Sequence, residues 1–167
     1  MRILKLVRDK KALLFSSVFL SIISIALILH ILKPDQHLLL VDDATDVVLH
    51  NIKLDEGTQF SMTYTHSVER SAVTEIFEIR DNEIYVMESY TESYGAGLPY
   101  EGTVLEKDGR FVIKDINQHI ESLVVRPSKL YPHDLTYNEE RIMISDYPFR
   151  GKNIRIVVNE WGENFER

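Results

Sequence analysis

The stretch YTHSVERSAVTEIFEI, residues 64–79, sets His66 and Glu75 among strand-like apolar residues. Along a strand, side chains alternate between two faces. Phe60, Met62, Tyr64 and His66 therefore share one face of residues 58–66. Val73, Glu75, Phe77 and Ile79 share the more apolar face of residues 72–80. An ionised carboxylate on an apolar face is costly unless a donor meets it. The two segments are consecutive and joined by a short loop, so antiparallel pairing would bring His66 near Glu75, with Arg70 as a second possible donor. Such a pair could close one end of a core, bind a ligand or partner, act as acid and base, or begin a metal site. A metal would want a third convergent ligand, for which Glu69 is only a weak candidate, so no metal centre is assigned. Ser67 follows His66 directly; on a strand the two would point to opposite faces and form no dyad. The second unusual stretch is YGAGLP, residues 94–99, where Gly95 and Gly97 permit close backbone approach and Pro99 fixes its own φ. Its amides could grip an anion or a peptide carbonyl. The chain has no phosphate loop, dinucleotide fingerprint, nucleophile elbow or zincin motif, so its motifs imply no cofactor.

The elements that must position these residues read as strands. Short runs rich in β-branched and aromatic residues cover 46–54, 58–66, 72–80, 83–91, 109–116, 121–126, 141–145 and 153–161. Asp81-Asn82 and Asp108-Gly109 are hairpin signals. The pattern predicts a mainly β domain, an antiparallel sandwich or barrel-like fold with at least six strands. Residues 126–140, with two prolines and no clear period, read as a long connection.

Ahead of this domain, residues 12–32 form a run of 21 without Lys, Arg, Asp or Glu, of which fourteen are Leu, Ile, Phe or Val. As a helix it would be roughly 31 Å long, the thickness of a hydrocarbon core. Five Lys and Arg against Asp9 precede it, and basic flanks stay on the cytoplasmic side. The expected organisation is a cytoplasmic tail (1–11), a transmembrane anchor (12–32) in the lipid bilayer, and an extracytoplasmic β domain (33–167). A cleaved signal peptide is the competing reading, but the run is long for one and no small-residue cleavage site follows. Lys33-Pro34 would end the helix. With −7 overall and +4 in residues 1–32, the rest of the chain carries −11, which excludes the basic footprint that nucleic acid binding needs. There is no cysteine, hence neither disulfide nor thiol chemistry.

The pairing of HSVERSAVTEIFEI with YTESYGAGLPYEG about twenty residues later resembles the bacterial domain-of-unknown-function family 1850, over roughly residues 38–130. On that resemblance His66, Ser67, Glu69, Glu75, Gly95, Gly97 and Pro99 are the family's motif positions, without an attached chemistry. The resemblance also implies company, because such proteins are often encoded beside tripartite ATP-independent (TRAP) transporters of the TAXI subclass. The expectation is a non-enzymatic, membrane-anchored accessory or binding module, partnered with a TRAP permease or its solute-binding protein. The alternatives are a small extracytoplasmic enzyme using His66 and Glu75 as acid and base, or a purely structural envelope-interaction domain. Protease added to intact spheroplasts is expected to degrade residues 33–167 while residues 1–32 stay in the mature chain. Full protection, or a mature N-terminus near residue 35, would contradict one part or the other.

Overall fold

A computed structural model describes residues 18–28, 35–55, 58–93 and 102–160. The chain divides into two compact units, Met1–Pro34 and Asp35–Arg167. In the first, residues 18–28 are helical, and eight of those eleven residues are Val, Phe, Leu or Ile with exposed side chains. Among the described residues no helix is long and apolar enough to cross a membrane. The expected span extends beyond this helix on both sides, and its residues 12–17 and 29–32 lie outside the described residues, as do 1–11 and Pro34.

The second unit is antiparallel throughout. Its strands are β1 (Gln36–Asp42), β2 (Val47–Lys53), β3 (Gln59–Thr65), β4 (Ala72–Arg80), β5 (Glu83–Thr91), β6 (Thr103–Lys107), β7 (Arg110–Lys114), β8 (Gln118–Ile120), β9 (Leu123–Val125), β10 (His133–Tyr137), β11 (Glu140–Met143) and β12 (Ile154–Glu160). One sheet has four strands in the order β2-β1-β12-β9; the other has eight, with the path β11-β10-β3-β4-β5-β7-β6 and β8 also paired to β5. The two do not close into a barrel. Their apolar faces share one core, with Leu38, Leu40, Ile154 and Ile156 from the smaller sheet and Phe60, Met62, Phe77 and Leu135 from the larger. Phe60 and Phe77 stack within it at 5.0 Å.

All eight expected strands are present. Both hairpin signals hold, since Asp81, Asn82, Asp108 and Gly109 have positive φ, as a two-residue I′ turn demands. Four strands were not expected. β1 is buried continuously from His37 to Asp42 around the apolar run Leu38 to Val41, so alternation could not reveal it. β6 is exposed along its whole length and β8 has three residues, so neither carries a hydrophobic period. The connection expected over 126–140 is corrected: His133–Tyr137 is β10, pairing with both β3 and β11. Pro127 and Pro132 flank only the irregular stretch before it.

Ion pairs tie the β1–β2 turn to the far end of the chain. Lys152 bonds Asp42, holding that carboxyl below its usual range, and Arg155 reaches both Asp43 and Asp46. At the entrance to β6, Gly102 has φ +114°, and a Cβ there would lie 2.5 Å from the Lys114 carbonyl oxygen and 3.0 Å from Ile113 Cγ2. Gly109 also has positive φ but open space around it. Gly102→Ala is therefore expected to cost about 1–3 kcal/mol, and Gly109→Ala clearly less. Urea unfolding of the two variants checks this; equal losses would mean that the close approach at Gly102 is not what the backbone needs.

Candidate functional site

The register of β3 against β4 sets the site. Phe60 pairs with Phe77, Met62 with Glu75 and Tyr64 with Val73, and one step further the His66 amide donates to the Ser71 carbonyl at 2.9 Å. His66 and Glu75 thus share the core-side face, but Glu75 stands opposite Met62, four residues from the His66–Ser71 step. That is about 13 Å along the strand. Among the described residues no hydrogen bond or ion pair joins His66 to Glu75, and Tyr64 lies at the position between them. The expectation that His66 and Glu75 are direct or near neighbours is corrected because the β3–β4 connection takes up 66–71, which pushes His66 past the strand end.

The turn fixes the His66 ring by other means. The Glu69 amide donates to His66 Nδ1 at 3.2 Å, and the Arg70 amide donates to the His66 carbonyl at 2.8 Å, with Arg70 at φ 56°. With Nδ1 accepting, the neutral ring carries its proton on Nε2. Glu69 is held from the far side by the Ser93 hydroxyl, 3.2 Å from its carboxylate.

Glu75 is flanked by Met62 on β3 and Ser89 on β5. Met87 bulges from β5, since Ile76 pairs with Glu88 while Phe77 pairs with Val86. The bulge shifts the alternation so that Ile84, Val86, Ser89 and Thr91 all turn inward. Ser89 is buried, its hydroxyl without a partner among the described residues. Burial pushes the Glu75 carboxyl above its ordinary range. The Tyr64 hydroxyl is likewise raised, first by burial and then by the Glu75 charge.

On its other side Tyr64 pairs with His133 of β10, and the two rings stack at 5.3 Å and 13°. His133 Nδ1 donates to the Tyr131 carbonyl at 2.8 Å. Burial lowers the His133 pKa, outweighing that carbonyl and Asp134, so the ring is neutral near pH 7 with Nε2 left as an acceptor. The Ser145 hydroxyl, 2.7 Å from the His133 amide, fixes the start of β10.

A cavity of about 540 Å³ opens between the sheets here, lined by Met62, Tyr64, Thr65, His66 and Ser67, by Val124, Val125 and Arg126 from β9 onward, and by Tyr131 and His133. His66 and Ser67 both reach it, because past the strand end alternation no longer separates neighbours. Glu69 and Glu75 are not among its lining residues. Gly95, Gly97 and Pro99 lie outside the described residues. Sequence reasoning missed Arg126, Tyr131 and His133. The available signal was a connection rich in aromatic, histidine and basic residues, where binding groups concentrate. Among the described residues no three His, Cys, Asp or Glu side chains are grouped to hold a metal ion.

These features define a two-sheet antiparallel β domain with a cavity at the mouth between its sheets. Residues 60–144 match the family Domain of unknown function (DUF1850), and the chain belongs to that family. Comparison with curated proteins and with solved structures found no significant match.

The Glu75 environment has a measurable consequence. Its folded-state pKa is raised, so between the unfolded value near 4.5 and the raised one the unfolded chain loses a proton that the folded chain keeps. Stability from this group is complete below the unfolded pKa and falls as pH rises through the folded one. Glu75→Gln is therefore expected to be more stable than the parent near pH 8, the difference shrinking towards pH 4.5. Urea unfolding across that range checks it; a difference independent of pH would disprove the assignment.

Proposed function

We propose that this protein is a membrane-anchored, extracytoplasmic binding module that serves as an accessory to a TRAP-type solute transporter of the TAXI subclass. The observation that carries the binding reading is the cavity between the sheets, whose lining brings aromatic, imidazole and guanidinium groups together with the apolar Met62, Val124 and Val125. Its volume falls within the range of small-molecule sites, about 300–1,000 Å³. The anchor is supported by the uncharged apolar run over 12–32 behind a basic tail, and by the apolar side chains that the helix at 18–28 exposes. A helix hydrophobic all round suits lipid better than water. The link to a transporter rests on the company that the family keeps. The separation of His66 from Glu75 favours binding over acid–base catalysis by that pair, since proton relay requires hydrogen-bond reach. The permease, or its solute-binding protein, is the expected partner. Crosslinking in intact cells, followed by affinity purification of the full chain from membranes, is expected to recover one of these transporter components. Recovery of the crosslinked chain without either would refute the accessory role.

A further inference from the structure

We propose that the cavity between the sheets takes a small organic monoanion, a carboxylate on a compact apolar or aromatic body, with the carboxylate at Arg126 and His66 and the body against Tyr64 and His133. This rests on the binding reading above and names its ligand class.

Charge selects the sign. The chain beyond residue 32 carries −11, yet no Asp or Glu lines the cavity, and its one permanent charge is Arg126. Arg126 is exposed and has no ion pair or hydrogen bond among the described residues, so its fork of donors is open to a planar carboxylate. His66, which also lines the cavity, offers an Nε2 donor because Nδ1 is taken by the Glu69 amide.

The rest of the lining limits the charge to one. His133 is held neutral by burial, so it contributes an aromatic face and an acceptor rather than a second cation. Lys129 follows Arg126 closely in sequence but is not among the lining residues. A dianion or a phosphate would bring charge with no partner into a cavity whose lining includes the apolar Met62, Val124 and Val125. Glu75 is the cross-strand neighbour of Met62 but does not itself line the cavity, and burial favours its proton-bound form, which weakens its repulsion of a bound anion. The Tyr64–His133 stack presents a flat surface suited to an aromatic or branched aliphatic body.

The test uses the full chain purified in detergent and titrated calorimetrically with small aliphatic and aromatic monocarboxylates, benzoate among them. The matching amides and amines, succinate and inorganic phosphate complete the panel. The expected result is that at least one monocarboxylate binds about tenfold or more tightly than its amide, its amine, succinate and phosphate. Arg126→Gln should remove that preference while leaving the melting temperature and the weak amide binding in place, because the residue is exposed. If amides, amines or dianions bind as well as monocarboxylates, or if Arg126→Gln keeps the preference, the ligand class is wrong although the cavity binds. If nothing in the panel binds, the binding reading itself falls, and this inference with it.

Discussion

Two sheets of unequal size must share one apolar interior. The larger has eight strands and the smaller four, and the smaller ends at β9, an edge strand of only three residues. An apolar sheet face left uncovered loses about 25 cal/mol for every Å² that stays wet. The inner faces of β3, β4 and β5 are therefore packed where β1 and β12 can cover them, which is where Phe60, Met62 and Phe77 are almost fully buried. Towards the Tyr64 end of β3 the cover passes to β9 and then to the irregular segment after it. Coverage is incomplete there, and the cavity is what remains. Its position follows from strand count and length before any functional residue is considered.

The same shortfall sets the electrostatics of the site. Groups at the margin of the core are dry enough for burial to dominate their titration, yet close enough to the opening to meet a ligand. Glu75, Tyr64 and His133 lie in neighbouring strands of the larger sheet, and in all three burial favours the neutral form. Arg126 and His66 sit further out, each the first residue after its strand, β9 and β3 respectively. The sequence of environments from β4 outward is thus a neutral acid, an aromatic stack and then cationic or donor groups. A buried ionised pair between His66 and Glu75 would have had to offset two desolvation costs. The observed arrangement avoids this by spacing the two apart and giving each separate neighbours.

Alternation revealed the elements in which it was the governing signal. β4 and β5 match their sequence runs residue for residue, because one face of each meets the core and the other meets solvent or polar partners. β1 was hidden by its own burial, and β6 by its lack of it. For the site, parity along β3 and β4 correctly put His66 and Glu75 on the core-side face, but parity says nothing about register. Register depends on how many residues the β3–β4 connection consumes, and a one-strand pattern does not encode that. The contribution of β10 was illegible for a related reason. His133 matters because it pairs with Tyr64, some seventy positions earlier in the chain, and no local pattern announces a partner at that distance.

The family match has a structural meaning that its boundaries make visible. Residues 60–144 run from within β3 to just past β11, and so contain almost the whole larger sheet together with β9. They omit β1, β2 and β12, three of the four strands of the smaller sheet. The matched stretch therefore holds every described residue that lines the cavity, but not the strands that cover most of the apolar face beside it. That cover comes from both flanks at once, since β1 and β12 pair over seven residues from Gln36↔Glu160 to Asp42↔Ile154, and Lys152 and Arg155 are anchored on the acids around the β1–β2 turn. Closing this long-range pair costs chain entropy that only the shared core can offset. The flanking strands are thus required by the same face that carries the site. The family match thus coincides with the stretch that lines the cavity, and the flanks supply β1, buried along almost its whole length, and β12 registered against it.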